Sequence, residues 1–294
     1  MLTYQPTPVQ EIGDARAISA GVRLLMKRED MNHPLVSGNK WWKLRDNLHA
    51  AGQSPSRTVL TFGGAFSNHL YAVAGAAMQN GLASIGVIRG EETLPLNATL
   101  AYAKHCGMHL HYVERFSYKQ KESPAFIDAL RERFGDFYLI PEGGTNALAV
   151  GAVRDFARVL NGIDFDVLCV PVGTGGTMAG LVGGLAHGSV IGFSSLKGEG
   201  NLEDNIRGWL PAAVATPWQL DRGYHFGGYA KHTPGLLDFI TQFKQQHGIP
   251  LEQVYTGKMC YGVFDLIEKG FFARGTTILM LHTGGLQGAL HSIM

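Results

Sequence analysis

The sequence predicts an α/β fold built on open parallel sheets, two of them, and three observations carry that expectation. Short β-rich apolar runs alternate with helical patterns, as successive βαβ units require. Glycine accounts for 39 of 294 residues and falls largely at strand ends, where backbone turns sharply or lets a ligand approach. The apolar share of 45% is enough for a proper core.

Val59-Leu60-Thr61-Phe62 reads as a buried strand and 69–79 as the small-residue helix after it. A strand at 84–88, a helix at 96–106, a strand at 109–113, a helix at 123–134 and a strand at 137–140 continue the alternation. The later half repeats it with a strand at 166–171, a helix at 177–187 and a strand at 190–193. A helix at 259–269 and a strand at 276–281 close the pattern. The expected division is a larger domain made of 1–50 and 160–294 and a smaller α/β domain of 51–159. No linker rich in Pro or Ser marks that boundary, and Gln53-Ser54-Pro55-Ser56 is the one candidate on its N-terminal side.

Charges nearly cancel at +1, so nothing argues for nucleic acid or an anionic membrane as partner. Cys106, Cys169 and Cys260 are few, odd in number and scattered, which fits a reducing compartment. Met1 begins no charged, apolar signal sequence, and no apolar run reaches membrane-spanning length. The expectation is a cytoplasmic metabolic protein.

Two segments carry the chemistry. Ser37-Gly38-Asn39-Lys40-Trp41-Trp42-Lys43-Leu44 offers an amine at a helix start, with Asn39 as the expected cap. There the helix dipole and nearby Lys43 both disfavour an ammonium, which makes Lys40 the more nucleophilic. Taken alone, the segment also fits a solvated surface lysine. Val172-Gly173-Thr174-Gly175-Gly176-Thr177 follows an apolar strand and opens a helix, where backbone N–H groups and two hydroxyls can converge on a phosphate. It lacks the Lys-Ser/Thr ending of a nucleotide P-loop and the Gly-x-Gly-x-x-Gly spacing. Tight strand-to-helix packing is its other reading. A lysine amine and a phosphate cradle on one chain point to pyridoxal phosphate.

Three further polar turns support the pair. Gly63-Gly64-Ala65-Phe66-Ser67-Asn68-His69 sits at a strand-to-helix turn, with Ser67 and Asn68 either capping the helix or facing the crevice. Tyr255-Thr256-Gly257-Lys258 and His282-Thr283-Gly284-Gly285 are the others. Glu142 follows a strand and can line the site or form a turn. Trp41 and Trp42 read as packing. His105, Cys106, His109 and His111 cluster in sequence, but without a second cluster they do not compose a metal site.

In these blocks the chain resembles the 1-aminocyclopropane-1-carboxylate (ACC) deaminase / D-cysteine desulfhydrase family, pyridoxal-phosphate enzymes of the tryptophan synthase β-like fold. The resemblance runs from about Lys27 through Gly288. It implies two α/β domains with the cofactor in the crevice between them, a homodimer, and a small amino-acid substrate. The family's Schiff-base lysine maps to Lys40. Its Ser-Asn turn maps to Ser67 and Asn68, its phosphate turn to Gly173, Thr174, Gly175, Gly176 and Thr177. The late blocks map to Tyr255 and Thr283. By this mapping Lys40, Ser67 and Tyr255 act on the substrate, Asn68 joins the phosphate turn in binding the cofactor, and Thr283 faces the pyridine nitrogen. True ACC deaminases carry a second active-site tyrosine just ahead of the late His-x-Gly-Gly, where this chain has Leu279-Met280-Leu281. The Ser-Asn-His form is also closer to the desulfhydrases. The implied reaction is β-elimination from a small amino acid, D-cysteine first, giving a 2-oxo acid and ammonia; ACC deaminase is the alternative. A racemase, a non-catalytic cofactor carrier and a dinucleotide-dependent oxidoreductase stand further off, the last for want of fingerprint spacing and a ribose-binding acid.

Overall fold

Among the described residues, ten strands form two sheets whose members come from separate stretches of chain. The computed structural model describes residues 2–198 and 200–289. The larger sheet contains β1 (Val9–Glu11), β2 (Arg23–Lys27), β7 (Val167–Val172), β8 (Ser189–Ser194), β9 (Trp218–Asp221) and β10 (Thr277–Leu281), in the order β1-β2-β10-β7-β8-β9. The smaller contains β3 (Thr58–Gly64), β4 (Ala83–Arg89), β5 (His109–Val113) and β6 (Tyr138–Ile140), in the order β5-β4-β3-β6. Every pairing is parallel except β1 with β2. That antiparallel edge departs from the expected purely parallel sheet.

Because side chains alternate along a strand, β10 divides its residues between two cores. Leu279 and Leu281 join the core under α2 (Asn39–Gln53), α7 (Ala147–Leu160) and α8 (Gly176–Gly184). Ile278 and Met280 join the core under α1 (Ala15–Ala20), α10 (Pro234–His247) and α11 (Thr256–Glu268). On the smaller sheet, α3 (Asn68–Gln79) and α4 (Ala98–His105) extend the first core. A third cluster of Leu60, Phe62, Ile85 and Val87 lies against α5 (Arg115–Tyr118) and α6 (Pro124–Phe134). The remaining helix, α9 (Leu202–Trp209), places Leu202 and Ile206 beside the start of α8.

Most expected elements are present within a residue or two. Several are additional: β1, β2, β9, α1, α5, α7, α9 and α10. Arg23-Leu-Leu-Met-Lys27 holds no β-branched or aromatic residue, so its strand form is imposed by pairing with β10 and β1. Ala-Val-rich α7 reads equally as strand or helix in sequence. It is capped by Asn146, whose side chain accepts from Ala149 N at 2.9 Å.

Candidate active site

Carboxyl ends of strands from both sheets face one cleft, where open α/β folds place their ligands. β3 leads into Ser67 and Asn68, β7 into Gly173–Thr177, and β10 into His282–Gly285. β2 leads through a loop to α2. Of the expected site residues, Lys40, Asn68, Gly173, Thr174, Gly175, Thr177, Tyr255 and Thr283 line one cavity. Ser67 lines its continuation, together with Lys40, Asn68 and Tyr255. Gly176 lines neither and packs instead against Thr145, which a Cβ would approach to 2.5 Å.

The start of α2 is fixed by its neighbours. Gly38 is the cap, at φ 70°, and Asn39 is the first helical residue, contrary to the expected Asn39 cap. A side chain at 38 cannot fit, because its Cβ would sit 1.8 Å from the Thr283 carbonyl oxygen. Asn32 clamps the same glycine, accepting from its N–H at 2.8 Å and donating to its carbonyl at 3.0 Å. Asn39 is thereby released to donate to Thr177 Oγ1 at 2.9 Å, joining the lysine segment to the glycine turn. Trp41 and Trp42 are buried packing residues, and Trp42 also donates to Glu29 at 2.8 Å.

Lys40 follows in the first turn. Among the described residues its one hydrogen bond is to Asn39 Oδ1, at 3.3 Å. Burial lowers its amine to about 8, partly opposed by the Glu252 carboxylate. Burial is thus the leading cause, in place of the expected helix dipole and Lys43. Lys43, 2% exposed, donates to the Gly143 carbonyl and to Thr145 Oγ1 at 2.8 Å. Thr145 in turn meets Thr174 Oγ1 at 2.7 Å.

The glycine turn does two things. Gly175, at φ 88°, leaves room for Ile206, which a Cβ would approach to 2.7 Å, so its glycine is a packing requirement. Gly175 is also the cap of α8, and it supplies no side-chain cap. The first N–H groups of α8 therefore remain available to an anion. A phosphate fits here, with the Thr174 and Thr177 hydroxyls beside it and the Lys40 amine in the same cavity. The residues present suit pyridoxal phosphate at both of its ends.

Ser67 caps α3 by accepting from Leu70 N at 3.3 Å while still lining the cleft, so its two expected roles coexist. Asn68 accepts from Gln287 Nε2 at 3.0 Å. Burial holds the Tyr255 phenol well above its ordinary range, and its ring lies 6.0 Å from that of Tyr229. Glu252, fully buried, accepts from the backbone N–H groups of Val254 (2.6 Å), Tyr255 (2.9 Å) and Thr256 (2.6 Å). It thereby caps α11 and orients Tyr255. Lys258 donates to the His225 and Gly228 carbonyls at 2.8 Å each, holding the loop that carries Tyr229. His282 is a buried turn clamp: Nδ1 accepts from Gly284 N at 3.2 Å and Nε2 faces the Pro250 carbonyl at 2.8 Å.

Glu142 lines the cleft as well, while His109 and His111 stand against Phe134 on the outside of the smaller sheet. Met280 is fully buried in the apolar core and lines neither cavity. Sequence reading passes over Glu252, Tyr229 and Arg89 and treats Lys43 only as a neighbour. Lys43 carries a signal, since i,i+3 spacing sets it on the face of Lys40. Arg89 carries one too, as a charge at the carboxyl end of a parallel strand.

Comparison with known proteins agrees with this geometry. The family model described as "Pyridoxal-phosphate dependent enzyme" matches residues 1–284. The chain belongs to that family, and its cofactor is pyridoxal 5'-phosphate. Within it the chain falls among the ACC deaminase / D-cysteine desulfhydrase proteins. It is 31% identical over 313 residues to the Arabidopsis thaliana bifunctional D-cysteine desulfhydrase/1-aminocyclopropane-1-carboxylate deaminase, covering 98% of this chain and 78% of that one. It is 28% identical to the 1-aminocyclopropane-1-carboxylate deaminase of Methylobacterium nodulans, covering 97% and 93%. A crystal structure of an ACC deaminase homologue superposes with a TM-score of 0.84 at 29% identity, covering 99% and 93%. The tryptophan synthase β-like architecture is thus the fold of this chain. No helix among the described residues is long and apolar enough to cross a membrane.

Proposed function

We propose that this protein catalyses β-elimination and deamination of a small amino acid to a 2-oxo acid and ammonia, with D-cysteine the first substrate to test. The observation that carries the reading is the buried Lys40 amine, at about 8, sharing a cavity with the uncapped N-terminus of α8. Relative to an amine at 10.5, that position gives about 300-fold more neutral lysine at pH 7. Pyridoxal phosphate, when bound, supplies an electron sink for negative charge developing at the substrate Cα.

The chain's residues take the remaining tasks. Lys40 is the covalent anchor and the base that accepts the Cα proton. Thr174, Thr177 and the amides of Gly173, Gly175 and Gly176 receive the phosphate, and the Thr283 hydroxyl is assigned to the pyridine nitrogen. Ser67 and Asn68, at the start of α3, hold the substrate carboxylate through hydroxyl, amide and helix-terminal N–H groups. Tyr255, kept protonated by burial, donates its proton to the departing group. For D-cysteine the Cα–H and Cβ–S bonds break, the bonding pair leaves on sulfur, and one water is consumed. The products are a 2-oxo acid, ammonia and sulfide.

ACC deamination is the second reading, favoured by the names of the relatives. ACC has no Cα proton to give to Lys40; Met280, whose side chain lies in the opposite core, does not bear on the choice between the two readings. The test is 2-oxo acid release from D-cysteine, L-cysteine, D-serine and ACC. Faster turnover of ACC than of every D-amino acid reverses the order of the two readings.

We further take 51–159 as the smaller domain and 1–50 with 160–294 as the larger, which the membership of the two sheets supports. A homodimer and a cytoplasmic location complete the proposal; free, buried Cys106, Cys169 and Cys260 accord with a reducing compartment.

A further inference from the structure

The cleft continues past Ser67 and Asn68 to a wall that the proposed chemistry leaves unused. That wall carries Arg89, Glu142 and Tyr229, and it borders the same cavity as Lys40 and Ser67. Arg89 ends β4, and its Cα pairs across the sheet with that of Gly64, three residues before Ser67. The guanidinium lies beside that glycine, where a Cβ would come within 3.4 Å of Nη2. Its Cζ is 5.9 Å from the centre of the Tyr118 ring.

The two charges on this wall differ in their partners. Glu142 accepts from the Tyr118 hydroxyl at 3.0 Å and sits 3.4 Å from Lys121 Nζ. Arg89 makes no hydrogen bond or ion pair with any carboxylate among the described residues. A guanidinium resting on an aromatic ring, facing a cavity and lacking a counter-ion, is a receptor for a carboxylate or sulfonate.

We propose that Arg89 determines specificity by receiving a negatively charged group borne by the substrate beyond Cβ. The proposal rests on the reading that Ser67 and Asn68 take the α-carboxylate. Adjacent strands lie about 4.8 Å apart, which keeps the start of α3 and Arg89 within reach of one small dianionic amino acid. Such a molecule meets an anion receptor at each end and presents Cα toward Lys40. An uncharged side chain of the same size leaves Arg89 unpaired.

Aspartate and asparagine are isosteric and differ in this one charge. Calorimetric titration of the holoenzyme with both enantiomers of each is expected to show one aspartate enantiomer binding about tenfold tighter than the matching asparagine. That factor is the lower end for a charge-assisted hydrogen bond, taken because Arg89 is an exposed group. Arg89→Gln should abolish the preference, and Arg89→Lys should retain part of it with the fold intact. Equal weakening of both ligands by Arg89→Gln would overturn the proposal, as would a wild type without preference. If no amino acid in the substrate panel is turned over while the Arg89-dependent preference persists, the elimination reading fails and the receptor stands. Turnover of D-cysteine without any such preference defeats the receptor alone.

Discussion

Replacing Glu252 with Gln separates its two duties, capping α11 and opposing the charge of Lys40. Oε1 accepts from Tyr255 N, Thr256 N and Thr256 Oγ1, at 2.9, 2.6 and 3.1 Å, and an amide oxygen can keep all three. Oε2 accepts from Val254 N at 2.6 Å, so the amide NH2 would point a donor at a donor. One lost bond to a buried carboxylate, leaving that N–H unpaired, costs about 1–3 kcal/mol. Relief from burying the charge offsets part of this, since burial raises the Glu252 carboxyl above its ordinary range. The expected net loss is about 1–2 kcal/mol, read as a lower denaturation midpoint with unchanged slope. The second effect has a definite sign. Glu252 raises the Lys40 pKa, so removing its charge must move that pKa below about 8. The assay is the rate of borohydride-trappable cofactor reloading into stripped enzyme as a function of pH. In wild type the rate should climb with the neutral amine, half-maximal near pH 8 and level above that; in Glu252→Gln the midpoint should fall at lower pH. A midpoint that stays put or rises, alongside the same loss of stability, would reduce Glu252 to a cap.

Lys40→Ala should lose all borohydride-fixed cofactor and at least about 10³-fold of any turnover, since anchor and base are removed together. Peptide mapping of the reduced wild type should place the label at Lys40, and label persisting in the variant would exclude this lysine. Thr177→Val keeps the shape while removing the acceptor that Asn39 contacts at 2.9 Å and one donor at the phosphate turn. Cofactor affinity, followed by absorbance titration, should fall about tenfold, and an unchanged value would put the phosphate elsewhere.

Much of this site is legible in the sequence because backbone constraints write themselves as glycine. Gly38 and Gly175 are needed where a Cβ would meet the Thr283 carbonyl oxygen and Ile206 Cγ1. Both appear as punctuation between apolar runs, so the turns can be found even where the reason for each glycine cannot. At Gly175 the reason proves to be packing, which means a Gly175→Asp protein would disturb the fold along with the phosphate turn. Side chains acting through tertiary contact leave weaker traces. Glu252 is an ordinary acid in sequence and becomes the acceptor of three backbone N–H groups and a hydroxyl only because 253–256 folds around it. Tyr229 enters the cleft because Lys258 holds its loop from another helix. For Met280 the motif suggests proximity to the pocket, whereas strand alternation turns its side chain into the opposite core.

The pair of lysines on α2 shows how tertiary contacts divide roles that sequence leaves equivalent. Lys40 and Lys43 lie one turn apart, line the same cavity and are both lowered by burial. Lys43 is engaged at both the Gly143 carbonyl and Thr145 Oγ1, contacts that tie α2 to the segment running past Glu142 toward α7. Deprotonating it would keep those acceptors facing a poorer donor, and using it as a nucleophile would break them. Among the described residues Lys40 has only the long contact to Asn39, and that asparagine is already committed to Thr177 through its Nδ2. An amine with one weak partner can leave its resting position, accept a proton at Cα and return, at little cost to the fold. Lys43, by comparison, is held in place beside the glycine turn by its two acceptors. The anchor assignment to Lys40 therefore rests on which lysine is free to move, and the depressed amine pKa alone would not have chosen between them.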